Sequence, residues 1–138
     1  MQTPKKMIGG VGVDIVEIDR VKRALTRHPR LMQRIFTPKE EAYCLAKGRP
    51  EISLAARWAA KEAVFKVLGL RRGELRWREI EVLNNNSGAP EVRLYGRLAE
   101  LARSLGVEKI ALSLSHSRDY AVAVAVGIRG LSVPQNSV

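Results

Sequence analysis

The sequence is poor in cysteine, in aromatic residues and in long apolar runs, and each shortage excludes a class of protein. Cys44 is the only cysteine, which excludes an intrachain disulfide and a thiolate metal cluster. Aromatic residues make up 5% of the chain, and no stacking platform for nucleic acid is evident. No stretch approaches the roughly 18 apolar residues that a membrane-spanning helix needs. Asp14 and Glu17 interrupt the early apolar run before it could act as a secretory signal. We therefore expect a cytoplasmic protein without a membrane segment.

What the chain does have is positive charge and enough apolar residues for one core. Its 138 residues fit a single domain, and the hydrophobic content of 46% supports a real core. The net charge of +10 comes mainly from arginine, whose planar guanidinium suits paired contacts with phosphates or carboxylates. The expected partners are therefore anionic: nucleic acid, a phosphorylated cofactor or an acidic protein.

Two β-rich segments frame the chain. Residues 7–18 are rich in valine and isoleucine and predict a strand that carries one acid, Asp14. That acid either caps the following helix or has a function of its own. Residues 110–116 and 121–126 alternate bulky with small side chains. This pattern predicts a hairpin whose small face lies close against a helix.

A basic helical segment covers residues 19–35. Five arginines alternate spacings of three and four, which would form one stripe on the helix surface: Arg20, Arg23, Arg27, Arg30 and Arg34. Pro29 predicts a break near His28 and a restart in the next turn. The stripe is either a solvated face or a docking surface for an acidic partner.

Further helices and strands follow. Thr37, Pro38 and Glu40 predict a capped helix start, and Pro50 opens a long helix that should end at Gly69. Residues 80–83 and 92–95 predict two strands around a turn at 84–90, and residues 96–105 predict a last helix.

The long helix carries charges among apolar residues. Trp58, Glu62 and Lys66 lie four residues apart and should stack in one row. A buried carboxylate is costly unless a cation meets it. Two interpretations remain open from helical position alone: a local ion pair between Glu62 and Lys66, or a metal on Glu62 and a phosphate on Lys66.

Three segments together are more specific: residues 12–20 (Gly-Val-Asp-Ile-Val-Glu-Ile-Asp-Arg), 57–63 (Arg-Trp-Ala-Ala-Lys-Glu-Ala) and 113–117 (Ser-Leu-Ser-His-Ser). With these motifs, in this order, the sequence resembles the holo-acyl-carrier-protein synthases of the phosphopantetheinyl transferase superfamily. The resemblance extends from about Met7 to Arg129. It implies an α+β fold (the α/β-type phosphopantetheinyl transferase fold), with a mainly antiparallel sheet packed on a long central helix. We expect a single domain at 7–129 between flexible tails at 1–6 and 130–138.

The resemblance also implies a reaction. Such enzymes move the 4′-phosphopantetheine arm of coenzyme A onto a serine of an acyl carrier protein and release adenosine 3′,5′-bisphosphate, in fatty acid biosynthesis. It implies Mg²⁺ on Asp14 and Glu62, which fits the preference of this ion for one or two carboxylates plus substrate phosphates. The proton of the serine would go to Glu62 or to a metal-bound water.

The remaining roles follow from the same resemblance. The implied catalytic residues are Asp14, Glu62, Lys66 and His116. The implied contacts to coenzyme A are Arg57, Lys61, Lys66, Gly69, Gly88, Pro90, His116 and Ser117. The implied docking residues for an acidic carrier protein are Arg20, Arg23 and Arg27. The family works as a homotrimer with sites between subunits, so Arg57 and His116 are expected to serve a neighbour's metal.

Two positions depart from the family pattern, and two alternatives stay open. Ala89 stands where a basic residue is common, and Phe65 replaces a smaller residue. One alternative is a small basic nucleic-acid-binding module that uses residues 20–34. Salt would weaken the binding of such a module steeply. The other keeps the reaction but takes carrier domains of larger synthases as the acceptor.

Overall fold

The computed structural model describes residues 7–130, in which helices and antiparallel sheets pack around one long helix. The predicted tails at 1–6 and 130–138 lie outside the described residues, apart from Gly130. The described elements are β1 (Ile8–Glu17), α1 (Ile18–Arg27), α2 (Pro29–Ile35), α3 (Pro38–Leu45), α4 (Pro50–Leu68), β2 (Ile80–Asn84), β3 (Pro90–Leu94), α5 (Gly96–Ser104), β4 (Val107–His116) and β5 (Tyr120–Arg129). Two short 3₁₀ turns, Arg72–Glu74 and Trp77–Glu79, connect α4 to β2.

The strands form two antiparallel sheets. The larger has the order β1-β5-β4, and the smaller pairs β2 with β3. Strand β5 is central, so its residues 121–128 each have one partner on β1 and one on β4; Ala123, for example, faces Asp14 on one side and Leu114 on the other. The expected α+β fold with a mainly antiparallel sheet on a central helix is confirmed.

Helix α4 packs on one face of the larger sheet, and small residues make this possible. Ala121, Ala123 and Ala125 of β5 are all 0% exposed. A side chain at Gly12 would place its Cβ 2.0 Å from the carbonyl oxygen of Ala63 on α4, far inside van der Waals contact. The predicted small face against a helix is therefore confirmed, and it brings β1 and α4 together along their length.

The opposite face of this sheet is apolar and open. We call it the outer sheet face; it consists of Val11, Val13 and Ile15 of β1 and their register partners Val126, Val124 and Val122 of β5. The three β1 side chains are 55–61% exposed. A contiguous exposed apolar patch of this kind is typical of an interaction surface.

The helix boundaries follow the local signals. Helix α1 ends at Arg27 and α2 restarts at Pro29, as the proline predicts. The capping box of α3 is present, and Gly69 ends α4 in the left-handed conformation at φ 68°. Glu17 is the N-cap residue of α1, so Asp14 does not cap that helix. Its side chain is left for another role.

Candidate active site

Asp14 lies where β1 crosses α4. Strand alternation places it on the helix-facing side, next to Gly12 in the same row. Lys66 of α4 donates one hydrogen bond to the carbonyl of Val13, at 2.7 Å, and one to Oδ1 of Asp14, at 3.3 Å. Oδ2 of Asp14 is buried and has no hydrogen-bond partner among the described residues. A buried carboxylate oxygen without a partner is costly and calls for an explanation.

Glu62 faces Asp14 from one turn earlier on α4. Burial raises the pKa of Glu62, and the negative charge of the nearby Asp14 raises this pKa further. The hydrogen bond from the indole of Trp58 and the charge of Lys66 act in the opposite direction. Lys66 forms its ion pair with Asp14, at 3.3 Å. Among residues 7–130 no ion pair joins Lys66 to Glu62, so a local Glu62–Lys66 pair does not describe the site.

These two acids fit a divalent cation. Two facing carboxylates repel each other, and a cation between them relieves that repulsion while giving Oδ2 of Asp14 a partner. Within residues 7–130 no group of three or more His, Cys, Asp or Glu side chains is arranged to hold a metal. The donor set in this chain is thus two carboxylates, and Mg²⁺ prefers one or two carboxylates together with substrate oxygens.

Lys61 is placed elsewhere, and this corrects an expectation. Its ammonium is 0% exposed and donates to Oε1 of Glu40 at 2.6 Å, to the carbonyl of Ile35 at 2.7 Å and to the carbonyl of Trp77 at 3.0 Å. Burial lowers the pKa of Lys61, and Glu40 opposes this effect. With all three protons used inside the core, the predicted contact from Lys61 to a coenzyme A phosphate is wrong. The reason is geometric: adjacent helix residues are turned by about 100°, so Lys61 faces the core although Glu62 does not.

Glu81 of β2 is a second buried carboxylate beside α3. It accepts hydrogen bonds from the hydroxyls of Thr37, at 2.6 Å, and Tyr95, at 2.9 Å. Burial alone raises its pKa, but these two hydrogen bonds outweigh burial and lower the pKa below its ordinary value of 4.5. This group supports the fold rather than the candidate site.

Arg57 is also turned away from the acid pair. It is 4% exposed, donates to Asn84 Oδ1 at 2.6 Å and to Ser53 Oγ at 3.1 Å, and stacks over the ring of Tyr43 at 4.4 Å. Asn84 in turn donates to the carbonyl of Gly88 at 2.8 Å. Arg57 therefore supports the β2–β3 turn, where the predicted residues Gly88 and Pro90 lie.

His116 and Ser117 lie at the end of β4, and both are exposed. His116 pairs with Ala121 of β5, which pairs on its other side with Val16 of β1. His116 is thus two strands away from β1, about 10 Å at the usual strand spacing. One chain gathers Asp14, Glu62 and Lys66, with Gly69 one turn further along α4, but it does not bring His116 to them.

The predicted docking residues lie on α1. Arg20, Arg23 and Arg27 are exposed, and Val21 anchors the other side of the helix in the core at 5% exposure. Arg23 forms an ion pair with Asp19, at 3.1 Å. Helix α1 thus presents basic side chains to solvent directly after the end of β1, the strand that carries Asp14.

The sequence interpretation missed three supporting contacts. The helical spacing places Trp58 and Glu62 in one row, and the structure adds that the indole N–H donates a hydrogen bond to the carboxylate. The partners of Lys61 and Arg57, Glu40 and Asn84, lie 21 and 27 residues away in the chain. Helical spacing could have indicated the first contact, whereas no local signal could have indicated the other two.

Comparisons with known proteins identify the family. Residues 10–125 match the family model of the 4′-phosphopantetheinyl transferase superfamily, which defines the class of protein. The holo-acyl-carrier-protein synthase of Moorella thermoacetica is 55% identical over 115 residues, covering 83% of this chain and 90% of the relative. That of Alkaliphilus metalliredigens is 42% identical, covering 87% and 98%. The chain therefore belongs to the 4′-phosphopantetheinyl transferase superfamily, in the branch of the holo-acyl-carrier-protein synthases.

Solved structures give the same result. The synthase of Neisseria meningitidis superposes with a TM-score of 0.81 at 33% identity, covering 89% of this chain and all of that one. The Bacillus anthracis synthase, solved in complex with coenzyme A (3′,5′-ADP), has a TM-score of 0.74 at 33% identity, covering 91% of this chain and 100% of that one. Within residues 7–130, none of the helices combines the length and apolar character needed to cross a membrane.

Proposed function

We propose that this chain transfers the 4′-phosphopantetheine group from coenzyme A to a serine of an apo-acyl carrier protein, with Mg²⁺ as the cofactor. The products are the holo-carrier protein and adenosine 3′,5′-bisphosphate, and the process served is fatty acid biosynthesis. The observation that carries the proposal is the buried, unpartnered Oδ2 of Asp14 facing Glu62, with Lys66 beside it. Membership of the synthase branch supplies the reaction.

Asp14 and Glu62 are the residues that would hold the cation. When bound, Mg²⁺ neutralises negative charge on the pyrophosphate as the phosphorus–oxygen bond breaks. Lys66 holds Oδ1 of Asp14 and keeps one positive charge at the site, where its 55% exposed side chain is accessible to a substrate phosphate. The proton that the carrier serine loses would go to Glu62 or to a water molecule at the site.

The rest of the coenzyme A site is proposed to come from a neighbouring subunit. Arg57, Gly88, Pro90, His116 and Ser117 lie apart from the acid pair in one chain, although the family resemblance assigns them to the same site. The outer sheet face offers the surface for assembly, since its β1 valines and isoleucine are more than half exposed. We propose a homotrimer in which this face is buried and in which each site takes residues from two chains.

Two further parts of the proposal concern the partner and the compartment. Arg20, Arg23 and Arg27 on α1 would receive the acidic carrier protein, because exposed arginines steer and orient an acidic partner. We place the reaction in the cytoplasm, and the single buried thiol of Cys44 is in keeping with a reducing compartment.

A direct assay tests the proposal. The full chain is incubated with coenzyme A, Mg²⁺ and an apo-acyl carrier protein, and intact mass spectrometry follows the addition of one phosphopantetheine arm. Asp14→Asn and Glu62→Gln should each remove activity while circular dichroism shows an unchanged fold. Glu100→Gln, the same kind of change at an exposed position on α5, should keep full activity.

Two results would contradict the proposal. If several carrier proteins gain no mass, the transferase assignment fails. If Asp14→Asn and Glu62→Gln turn over as fast as the Glu100→Gln control, the reaction stands but the acid pair does not carry it.

A further inference from the structure

We propose that Trp58 is a positioning residue for the cation site: its indole N–H holds the Glu62 carboxylate in the orientation that faces Asp14. The inference rests on the proposed function, because it concerns the same acid pair. Trp58 lies four residues before Glu62 on α4, and its Nε1 donates a hydrogen bond to Oε1 of Glu62. This contact comes from an aromatic side chain, which would otherwise contribute only packing.

The hydrogen bond acts on a flexible side chain. A free glutamate side chain has three rotatable bonds, and fixing it costs conformational entropy. A donor that fixes it in advance removes this cost from cation binding. The indole contacts Oε1 only, so Oε2 is left to face the neighbouring carboxylate.

The indole is itself held in place by the core. The ring of Trp58 packs on Trp77 at 5.6 Å between centroids, and Trp77 packs edge-to-face on Phe65 at 4.9 Å. The carbonyl of Trp77 accepts a hydrogen bond from the buried Lys61. The packed aromatic cluster therefore fixes the direction of the Trp58 N–H.

Asp14 and Glu62 are each held by one hydrogen-bond donor. Oδ1 of Asp14 is held by Lys66, and Oε1 of Glu62 is held by Trp58. Each carboxylate has one oxygen fixed by a donor, which orients the carboxylate plane. Partners of this kind, one step behind the ligands, govern metal affinity, and their loss typically costs about 10- to 100-fold.

The test compares Trp58→Phe with Trp77→Phe in the full-length protein. Both variants replace one indole of the same stack with a smaller ring, and only the first removes the donor to Glu62. Mn²⁺ affinity is measured by electron paramagnetic resonance in the presence of coenzyme A, and the Mg²⁺ dependence of transfer is measured in parallel. We expect Trp58→Phe to weaken Mn²⁺ binding and to raise the Mg²⁺ concentration for half-maximal transfer, each by about 10-fold or more. The Michaelis constant for the carrier should not change. Trp77→Phe keeps the Trp58 donor and an aromatic ring in the stack, so it should weaken Mn²⁺ binding clearly less than Trp58→Phe does.

A second measurement on the wild-type chain does not depend on the folding of Trp58→Phe. The chain has two tryptophans, so ¹⁵N-tryptophan labelling gives two indole N–H signals, and Trp77→Phe by itself assigns them. We expect the Trp58 indole proton to exchange more slowly with solvent than a free indole and to shift when Mg²⁺ is added. An indole signal of Trp58 that is unaffected by Mg²⁺, or wild-type Mn²⁺ affinity in Trp58→Phe, overturns the inference while the transferase remains. A wild-type chain that neither binds Mn²⁺ nor transfers the arm overturns both proposals.

Discussion

Replacing Lys61 with methionine tests the placement that most sharply separates the structure from the expectation drawn from family resemblance. In the structure Lys61 is the buried counter-charge of Glu40. The methionine fills a similar volume but removes the positive charge. Glu40 then keeps its hydrogen bonds from the backbone N–H groups of Thr37, at 2.9 Å, and Val82, at 2.7 Å, but it is left as an uncompensated charge in the core.

The magnitude follows from this arrangement. Removing one partner of a buried ion pair typically destabilises a protein by about 3–5 kcal/mol. The carbonyls of Ile35 and Trp77 also lose their donor. For a domain of this size 1 kcal/mol corresponds to about 3 °C, so we expect the unfolding temperature to fall by about 10–15 °C. Differential scanning calorimetry at a fixed protein concentration measures this change.

Lys66→Met is the matched control, because it is the same substitution on the same helix. The Lys66 side chain is 55% exposed, whereas that of Lys61 is 0% exposed, so the Lys66 substitution leaves no ammonium-sized gap in the core. Its unfolding temperature should therefore fall by less than that of Lys61→Met, while transfer activity falls because Lys66 belongs to the proposed site. The two lysines should thus separate stability from activity.

The reasoning on Lys61 has a clear contrary outcome. Below its unfolding transition, Lys61→Met should keep a Michaelis constant for coenzyme A within about twofold of the wild type, since the ammonium does not reach the substrate. If the variant instead melts like the wild type and loses coenzyme A binding, Lys61 contacts a phosphate and the buried arrangement is refuted.

Three other predictions concern pH, docking and assembly. The lowered pKa of Glu81 means that this carboxylate stabilises the fold above pH 4.5 and that the stabilisation is lost as pH falls through the lower folded-state pKa. Denaturant titrations should therefore show Glu81→Gln less stable than the wild type at neutral pH, with the gap closing as pH falls below 4.5. A gap of constant size across that range would contradict the sign. Reversing Arg20 and Arg23 together to glutamate should raise the Michaelis constant for the carrier at least about tenfold and leave that for coenzyme A unchanged, whereas reversal of the exposed Arg97 on α5 should do neither; equal effects on both substrates would argue against docking on α1. Val13→Asp puts a charge in the outer sheet face and should reduce the mass found by light scattering to that of one chain, and an unchanged oligomer would show that this face is not the interface.

Local signals in the sequence were sufficient for much of the fold. Pro29 set the break between α1 and α2, the capping box of Thr37 and Glu40 set the start of α3, and Gly69 set the end of α4. Alternation in β5 predicted the small face that α4 covers. These features depend on neighbours within a few residues, so the local amino-acid sequence alone determines them.

Other features depend on contacts between distant parts of the chain. The sequence placed Glu62 and Lys66 in one helical row, but only the packing of α4 on β1 decided that Lys66 pairs with Asp14, 52 residues away. The adjacent Lys61 is charged in the same way, and only the position of Glu40 made it a core residue rather than a phosphate ligand. Residue type and periodicity thus determine which groups a helix carries and which way it turns them, whereas the electrostatic partner of each group is fixed only when distant segments pack and exclude water.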